Sequence, residues 1–234
     1  MMYRRGCGTV VLIVLLFTAA GCGPTAGSGG ASASPATPLA VEAQFALGKR
    51  VSTPRDGLTA LGITAENAAE RPWKPLRLLA YCAPEISSTP WITGGYGRSW
   101  LDKDLRRAAE TETVVYTKTS GEAPMNAGTL IGELRAAVPT GCAHWKTDYL
   151  SAEFVAELPL PELTGVNDRY GFCMTVAEQP DWEPTPRCEV YLARNLSPVT
   201  TVVTSFSYQA RDLDTARQGM LRFVPTVAAR LVQG

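Results

Sequence analysis

Histidine is almost missing from this chain: among 234 residues, His144 is the single one. That excludes a zinc site built from several histidines and a histidine relay. It also forces any pairing of a nucleophile with a histidine base through that one residue. No Gly-x-Ser-x-Gly elbow is present to expose a nucleophilic serine. No Cys-x-x-Cys spacing suggests a thiolate metal site. An excess of one charge is missing too, since 22 Lys+Arg stand against 22 Asp+Glu. Removing Arg4 and Arg5 with the leader described next leaves a small acidic excess. Neither the basic face that nucleic acid requires nor the clustered Lys/Arg of a polybasic membrane module is visible. Nucleic acid is therefore not an expected partner. No internal repeat is evident.

What is present starts with an export signal. Arg4 and Arg5 precede eight unbroken apolar residues, Val10 to Phe17. At about 1.5 Å per residue such a run cannot span roughly 30 Å of hydrocarbon, but it has the length of a secretory h-region. The following Ala19-Ala20-Gly21-Cys22 resembles a bacterial lipobox, with Ala19 where leucine is usual. Residues 1–21 thus read as a lipoprotein signal peptide and Cys22 as the acylated residue. Gly23 to Pro38 contains only Gly, Ala, Ser, Thr and Pro. These residues have little to bury and cannot offset their ordering entropy, so 22–38 reads as a lipidated flexible tether. Two or more acyl chains suffice for stable anchoring, each buried methylene contributing about 0.8 kcal/mol. The expected location is the cell membrane, lipid-anchored on its extracytoplasmic face.

Of the six cysteines, Cys7 leaves with the leader and Cys22 is acylated. Cys82, Cys142, Cys173 and Cys188 remain, an even number in an oxidising compartment, which points to two disulfides. Three connectivities are open. The one pairing Cys82 with Cys142 and Cys173 with Cys188 is preferred, because the latter two fall on what read as adjacent strands. No metal site is expected.

Residues 39–234 read as one domain, of which 39–77 is poorly defined; Glu66 to Glu70 suggests at most a short helical turn ended by Pro72. Trp73 to Trp100, interrupted by prolines and by Gly94-Gly95-Tyr96-Gly97, reads mostly as loop. Thr111 to Lys118 is β-branched and aromatic, a strand. A helix follows, opened around Ser120 with Pro124 in its first turn. Leu130, Leu134 and Val138 form its stripe, and Pro139-Thr140-Gly141 stops it. Strand patterns recur at Trp145–Leu158, Tyr170–Glu178, Arg187–Arg194 and Val199–Tyr208. A last helix is capped by Asp212 or Asp214 and kinked or broken at Gly219 and Pro225. The fold class is α+β: a twisted antiparallel sheet of about five to six strands, with two longer helices on one face.

With these elements placed, the chain resembles the exported sensor-type domains of actinobacteria. The extracellular domain of mycobacterial PknH-type serine/threonine kinases is their reference case. The resemblance rests on Arg98-Ser99-Trp100 ahead of the VVYTK strand, on LIGELRAAVPTGCAHW, on Cys173 and Cys188, on VYLARNLSPVTTVV and on the terminal VAARLVQG. It covers roughly Leu78 to the C-terminus. It implies a twisted antiparallel sheet with two helices, disulfides paired in sequence order and a cleft that holds a ligand, with no established activity. The sequence shows neither a kinase domain nor a transmembrane helix, so direct kinase signalling is not implied.

Candidate chemistry is sparse. His144, two residues after Cys142, reads as a structural histidine. Asp102, Asp104, Glu110 and Glu112 read as solvated strand or loop faces rather than a catalytic carboxylate pair. Asp212-Leu213-Asp214 lacks the further oxygen ligands of a calcium loop. Trp91, Tyr96 and Trp100, with Trp73, form an aromatic set in proline- and glycine-rich surroundings, and the first three are the candidate ligand-binding residues. The resulting expectation is a non-enzymatic lipoprotein without cofactor or catalytic residues, binding an envelope lipid, glycan or small molecule. A lipoprotein docking a partner protein is the alternative, and a cell-wall hydrolase working through His144 the third reading.

The leader yields a direct test. Mass spectrometry of the membrane fraction is expected to find diacylglycerol on Cys22, and Cys22→Ala is expected to lose both the lipid and the membrane association. An unlipidated wild-type protein in its native envelope contradicts the lipobox.

Overall fold

Along the central strands, side chains pointing both ways are buried. On the strand Thr185–Ser197, Val190 and Leu192 face one side and Tyr191 and Ala193 the other, all at most 2% exposed. Such a strand needs cover on both faces, and three helices supply it. The computed structural model describes residues 37–53, 58, 61, 63, 69–72, 82–102, 107–118, 125–177 and 183–234.

Eight strands form one antiparallel sheet: β1 (Ala69–Pro72), β2 (Ile92–Asp102), β3 (Arg107–Thr117), β4 (Trp145–Lys146), β5 (Ser151–Glu157), β6 (Asp168–Ala177), β7 (Thr185–Ser197) and β8 (Thr200–Gln209). Their order is β1-β2-β3-β8-β7-β6-β5-β4. Helix α1 (Val41–Val51) precedes the sheet, α2 (Ala127–Gly141) carries the chain from β3 to the far edge at β4, and α3 (Leu213–Gln233) follows β8. The strands then step back from β4 until β8 closes against β3.

The α+β class, the antiparallel sheet and both disulfides are as the sequence led one to expect. The expectation of five to six strands and of both longer helices on one face is corrected. Leu47 and Val51 of α1 and Met220, Phe223, Val224 and Val227 of α3 join one cluster with Val115, Val190, Val202 and Phe206. Leu130, Ile131, Leu134 and Val138 of α2 join a second with Val114, Tyr116, Phe172, Tyr191 and Val203. Neighbouring strand residues alternate between the clusters, so α1 and α3 cover one face of the sheet and α2 the other.

Local chemistry explains where the elements start. Asn126, not Ser120, caps α2: its side chain accepts from Thr129 N at 3.0 Å, and the helix begins after Pro124. Asp212 caps α3 by accepting from Thr215 N at 2.8 Å, and this bond holds its carboxyl below the usual range. Neither helix breaks at its proline. Pro139 lies in the last turn of α2 and Pro225 within α3, where the apolar residues on both sides stay packed on the sheet. The last carbonyls of α3 accept from Arg194 Nη1 (Leu231 O, 3.1 Å) and Arg50 Nη2 (Gly234 O, 2.8 Å).

The segment around Gly94-Gly95-Tyr96-Gly97, expected as loop, is the middle of β2, and Ala69 and Glu70 are strand rather than helical turn. Gly94 has a packing reason. A Cβ on Gly94 would stand 2.8 Å from Gln44 Oε1 and 2.9 Å from its Cβ, so a bare backbone is what lets α1 lie against the strand. The disulfides pair Cys82 with Cys142 and Cys173 with Cys188. Cys173 and Cys188 are directly opposite on β6 and β7. Cys82–Cys142 fastens the segment before β2 to the end of α2, where a Cβ on Gly141 would lie 2.8 Å from Cys82 O. Glu133 of α2 secures the same segment by accepting from Ser88 N (3.1 Å) and from the Ser87 hydroxyl.

Phe206 tests the first cluster: its ring, 4.7 Å from that of Phe223, is fully buried. Phe206→Ala is expected to lower the unfolding free energy by about 3–5 kcal/mol in urea titrations, transfer and cavity terms combined. A loss below about 1 kcal/mol contradicts the packing described.

Candidate functional site

The residues singled out from sequence do not share a surface. Trp100 is 2% exposed and lies in the cluster beneath α1 and α3. Tyr96 is buried too, its Cβ 3.1 Å from where a Cβ on Gly48 of α1 would be. Trp91 ends the 3-10 turn Thr89–Trp91 and packs against the cluster on the opposite face, with Lys118 Nζ 5.2 Å from its ring centre. Two of the three are core and the third borders the other core; Trp73 and Asp104 lie outside the described residues. His144 is open to solvent, its side chain 86% exposed, with Glu153 Oε1 3.8 Å from Nδ1. A base so placed has no water-excluding pocket around it. Cys22 also lies outside the described residues. Among the described residues no group of three or more His, Cys, Asp or Glu is placed to hold a metal, and no helix is long and apolar enough to cross a membrane.

Two charged constellations emerge instead. The first is buried across the middle strands. Arg187 of β7 donates from Nη2 to Glu110 Oε2 of β3 at 2.7 Å and to Glu189 Oε1 at 3.0 Å. The Tyr191 hydroxyl donates to Glu189 Oε2 at 3.2 Å. Both Glu110 and Glu189 oppose Ser207 of β8 in register, and this small side chain between them lets arginine bridge from β7 to β3. Glu110, expected to be solvated, is thus half-exposed and ion-paired. Burial raises the Glu189 pKa above the ordinary carboxyl value, outweighing the attraction of Arg187, and burial likewise raises the Tyr191 phenol. A hydrophobic-looking strand, CEVYLA, hid this cluster, because a lone Arg-x-Glu pair carries no motif.

The second constellation lines a cleft of about 320 Å³ where β5 leaves the sheet, floored by Arg169–Gly171 of β6 and walled by 157–160 and by Arg135 of α2. That volume is at the lower end of small-molecule sites. The chain leaves β5 with Leu158 N still donating to Gly171 O at 2.8 Å. Arg135 donates from Nη2 to Arg169 O at 3.0 Å, and its guanidinium carbon lies 5.5 Å over the Tyr170 ring. Asp168 Oδ1 accepts from Arg169 N at 2.7 Å. Its Oδ2 is 3.7 Å from where a Cβ on Gly128 would be, beside the positive end of α2. Arg135, Glu157, Asp168 and Arg169 all contribute to the lining of the cleft, and among the described residues no ion pair joins them. Tyr170 is buried beneath them with no hydrogen-bond partner for its hydroxyl among the described residues. Burial, then the Glu157 charge, pushes its pKa up to about 12. These residues escaped sequence reasoning because they come from three elements, and only the topology assembles them.

The arrangement sets charged groups around a small space, and no nucleophile–base pair stands among the described residues that line it.

The buried cluster gives a stability test whose sign follows from the raised Glu189 pKa. A carboxyl held above its unfolded value contributes stability that is present below the ordinary glutamate pKa and is lost as pH rises through the folded value. Glu189→Gln is therefore expected to exceed wild type at pH 7 in thermal unfolding, the difference fading towards pH 4. Arg187→Met, which leaves Glu189 without its buried cation, is expected to cost about 3–5 kcal/mol at pH 7. Equal pH profiles for wild type and Glu189→Gln contradict the assignment.

Compared with known protein families, curated proteins and solved structures, the chain finds no match.

Proposed function

We propose that this protein is a membrane-anchored extracytoplasmic lipoprotein whose domain binds a small envelope ligand without chemically transforming it. The carrying observation is the cleft between Arg135 and Glu157, with charged groups that are not paired with one another. Charges left unpaired at a concave surface are poised to meet a ligand's own polar groups, and little reorganisation is needed because Arg135 is already held. The exposed His144 supports a binding role over hydrolysis. The leader and tether support placement at the membrane surface, as does the resemblance to exported sensor-type domains. The ligand site moves from the aromatic set to the cleft, since Tyr96 and Trp100 are core.

Native mass spectrometry of the protein extracted in detergent from its own membranes tests this. The wild type is expected to carry a non-covalent small-molecule mass that Arg135→Ala loses while keeping its melting temperature. Extracted protein with nothing bound in either form contradicts the reading.

A further inference from the structure

The charges around the cleft differ in what already engages them, and this difference narrows the ligand. Asp168 is turned towards α2: one oxygen accepts from Arg169 N and the other is 3.7 Å from where a Cβ on Gly128 would be. Arg169 donates from Nε to Leu160 O at 3.4 Å, leaving its two terminal nitrogens without a partner among the described residues. Arg135 uses one Nη2 bond and the stacking on Tyr170, which leaves further N–H groups of its planar fork free. Glu157, exposed at the end of β5, has no hydrogen-bond or ion-pair partner among the described residues. Arg169 and Tyr170 are neighbours on β6 and point to opposite faces of the sheet, so on the face of Tyr170 the cleft offers the guanidinium of Arg135 and the carboxylate of Glu157. Both Glu157 and Arg135 are close enough to Tyr170 to shift its phenol in opposite directions.

We infer that the cleft takes a short zwitterion, a free amino acid or small peptide, with its carboxylate on Arg135 and its ammonium on Glu157. This rests on the binding role proposed above. A carboxylate matches the guanidinium fork, and an ammonium matches a lone carboxylate. A purely anionic ligand would leave Glu157 repelling it, and a purely cationic one would meet Arg135. An apolar acyl chain finds only Leu158, Pro159 and Leu160 along one wall.

The test is isothermal titration of the folded domain with glycine, glycylglycine and triglycine, which separate the two end charges by increasing distance. The N-acetylated and C-amidated form of the best binder serves as the control. At least one member of the series is expected to bind. Capping either end is expected to weaken binding at least tenfold, as are Arg135→Gln and Glu157→Gln, both at exposed positions whose melting temperatures verify folding. Equal binding by the N-acetylated form reduces the site to an anion site and overturns the inference. If none of the series binds while the membrane-extracted protein carries another ligand that Arg135→Ala releases, the zwitterion is wrong and the binding role stands. If nothing binds and nothing is extracted, both fall.

Discussion

The β3–β8 pairing holds the sheet together. It joins β1-β2-β3 to β8-β7-β6-β5-β4, over ten residue pairs from Ala108↔Gln209 to Thr117↔Thr200. Its partners are some ninety residues apart in sequence, so closing it carries a loop-entropy cost that local contacts do not offset. Hydroxyls mark its register on the α1 side, with Thr113 Oγ1 2.9 Å from Thr204 Oγ1 and Ser52 Oγ 3.1 Å from Thr113 Oγ1. On the opposite face the Arg187 bridge to Glu110 spans the same seam. A slip of one residue would turn Glu110 towards the apolar cluster of α1 and α3 and leave Arg187 without it. A buried ion pair is weak as a source of stability but well suited to selecting one register, and here it sits where a misregister would do most damage.

Both faces of that seam are covered, and the cover determines where a ligand can go. α1 and α3 share one face; α2, fastened by Cys82–Cys142 and by Glu133, holds part of the other. Space for a small molecule opens where β5 departs from β6 and α2 presents Arg135 at its exposed flank. The cleft is thus a by-product of the crossover from β3 to β4: the helix that closes the second core also lays a cation beside the sheet's edge.

Much of this was legible in the chain. The strand at Val199–Tyr208, the Leu130/Leu134/Val138 stripe, the Asp212 cap and the Cys173–Cys188 pairing all appear, because each is written in local periodicity or in residue chemistry. Helix α1 was not legible, since its buried side consists of Gln44, Leu47, Gly48 and Val51, and a stripe containing glutamine and glycine reads as polar. β2 was missed for a matching reason, its Gly94 being required by α1 rather than by a turn. The faces taken by the helices were hidden as well: long-range pairing decides them, and a near-continuous apolar strand fits one-sided and two-sided burial equally until its neighbours are known. The candidate site was the least legible part. Aromatic residues in a glycine-rich stretch suggested binding but serve packing, while Arg135, Glu157 and Arg169 belong to no motif.

The most direct test of the central claim is a crystal structure of the protein purified in detergent from its own membranes, with the site left undisturbed by added ligand. Ordered density between Arg135 and Glu157, resting over Tyr170, is the expected result. An empty cleft with a bound molecule elsewhere, above all one seated against His144, would contradict it.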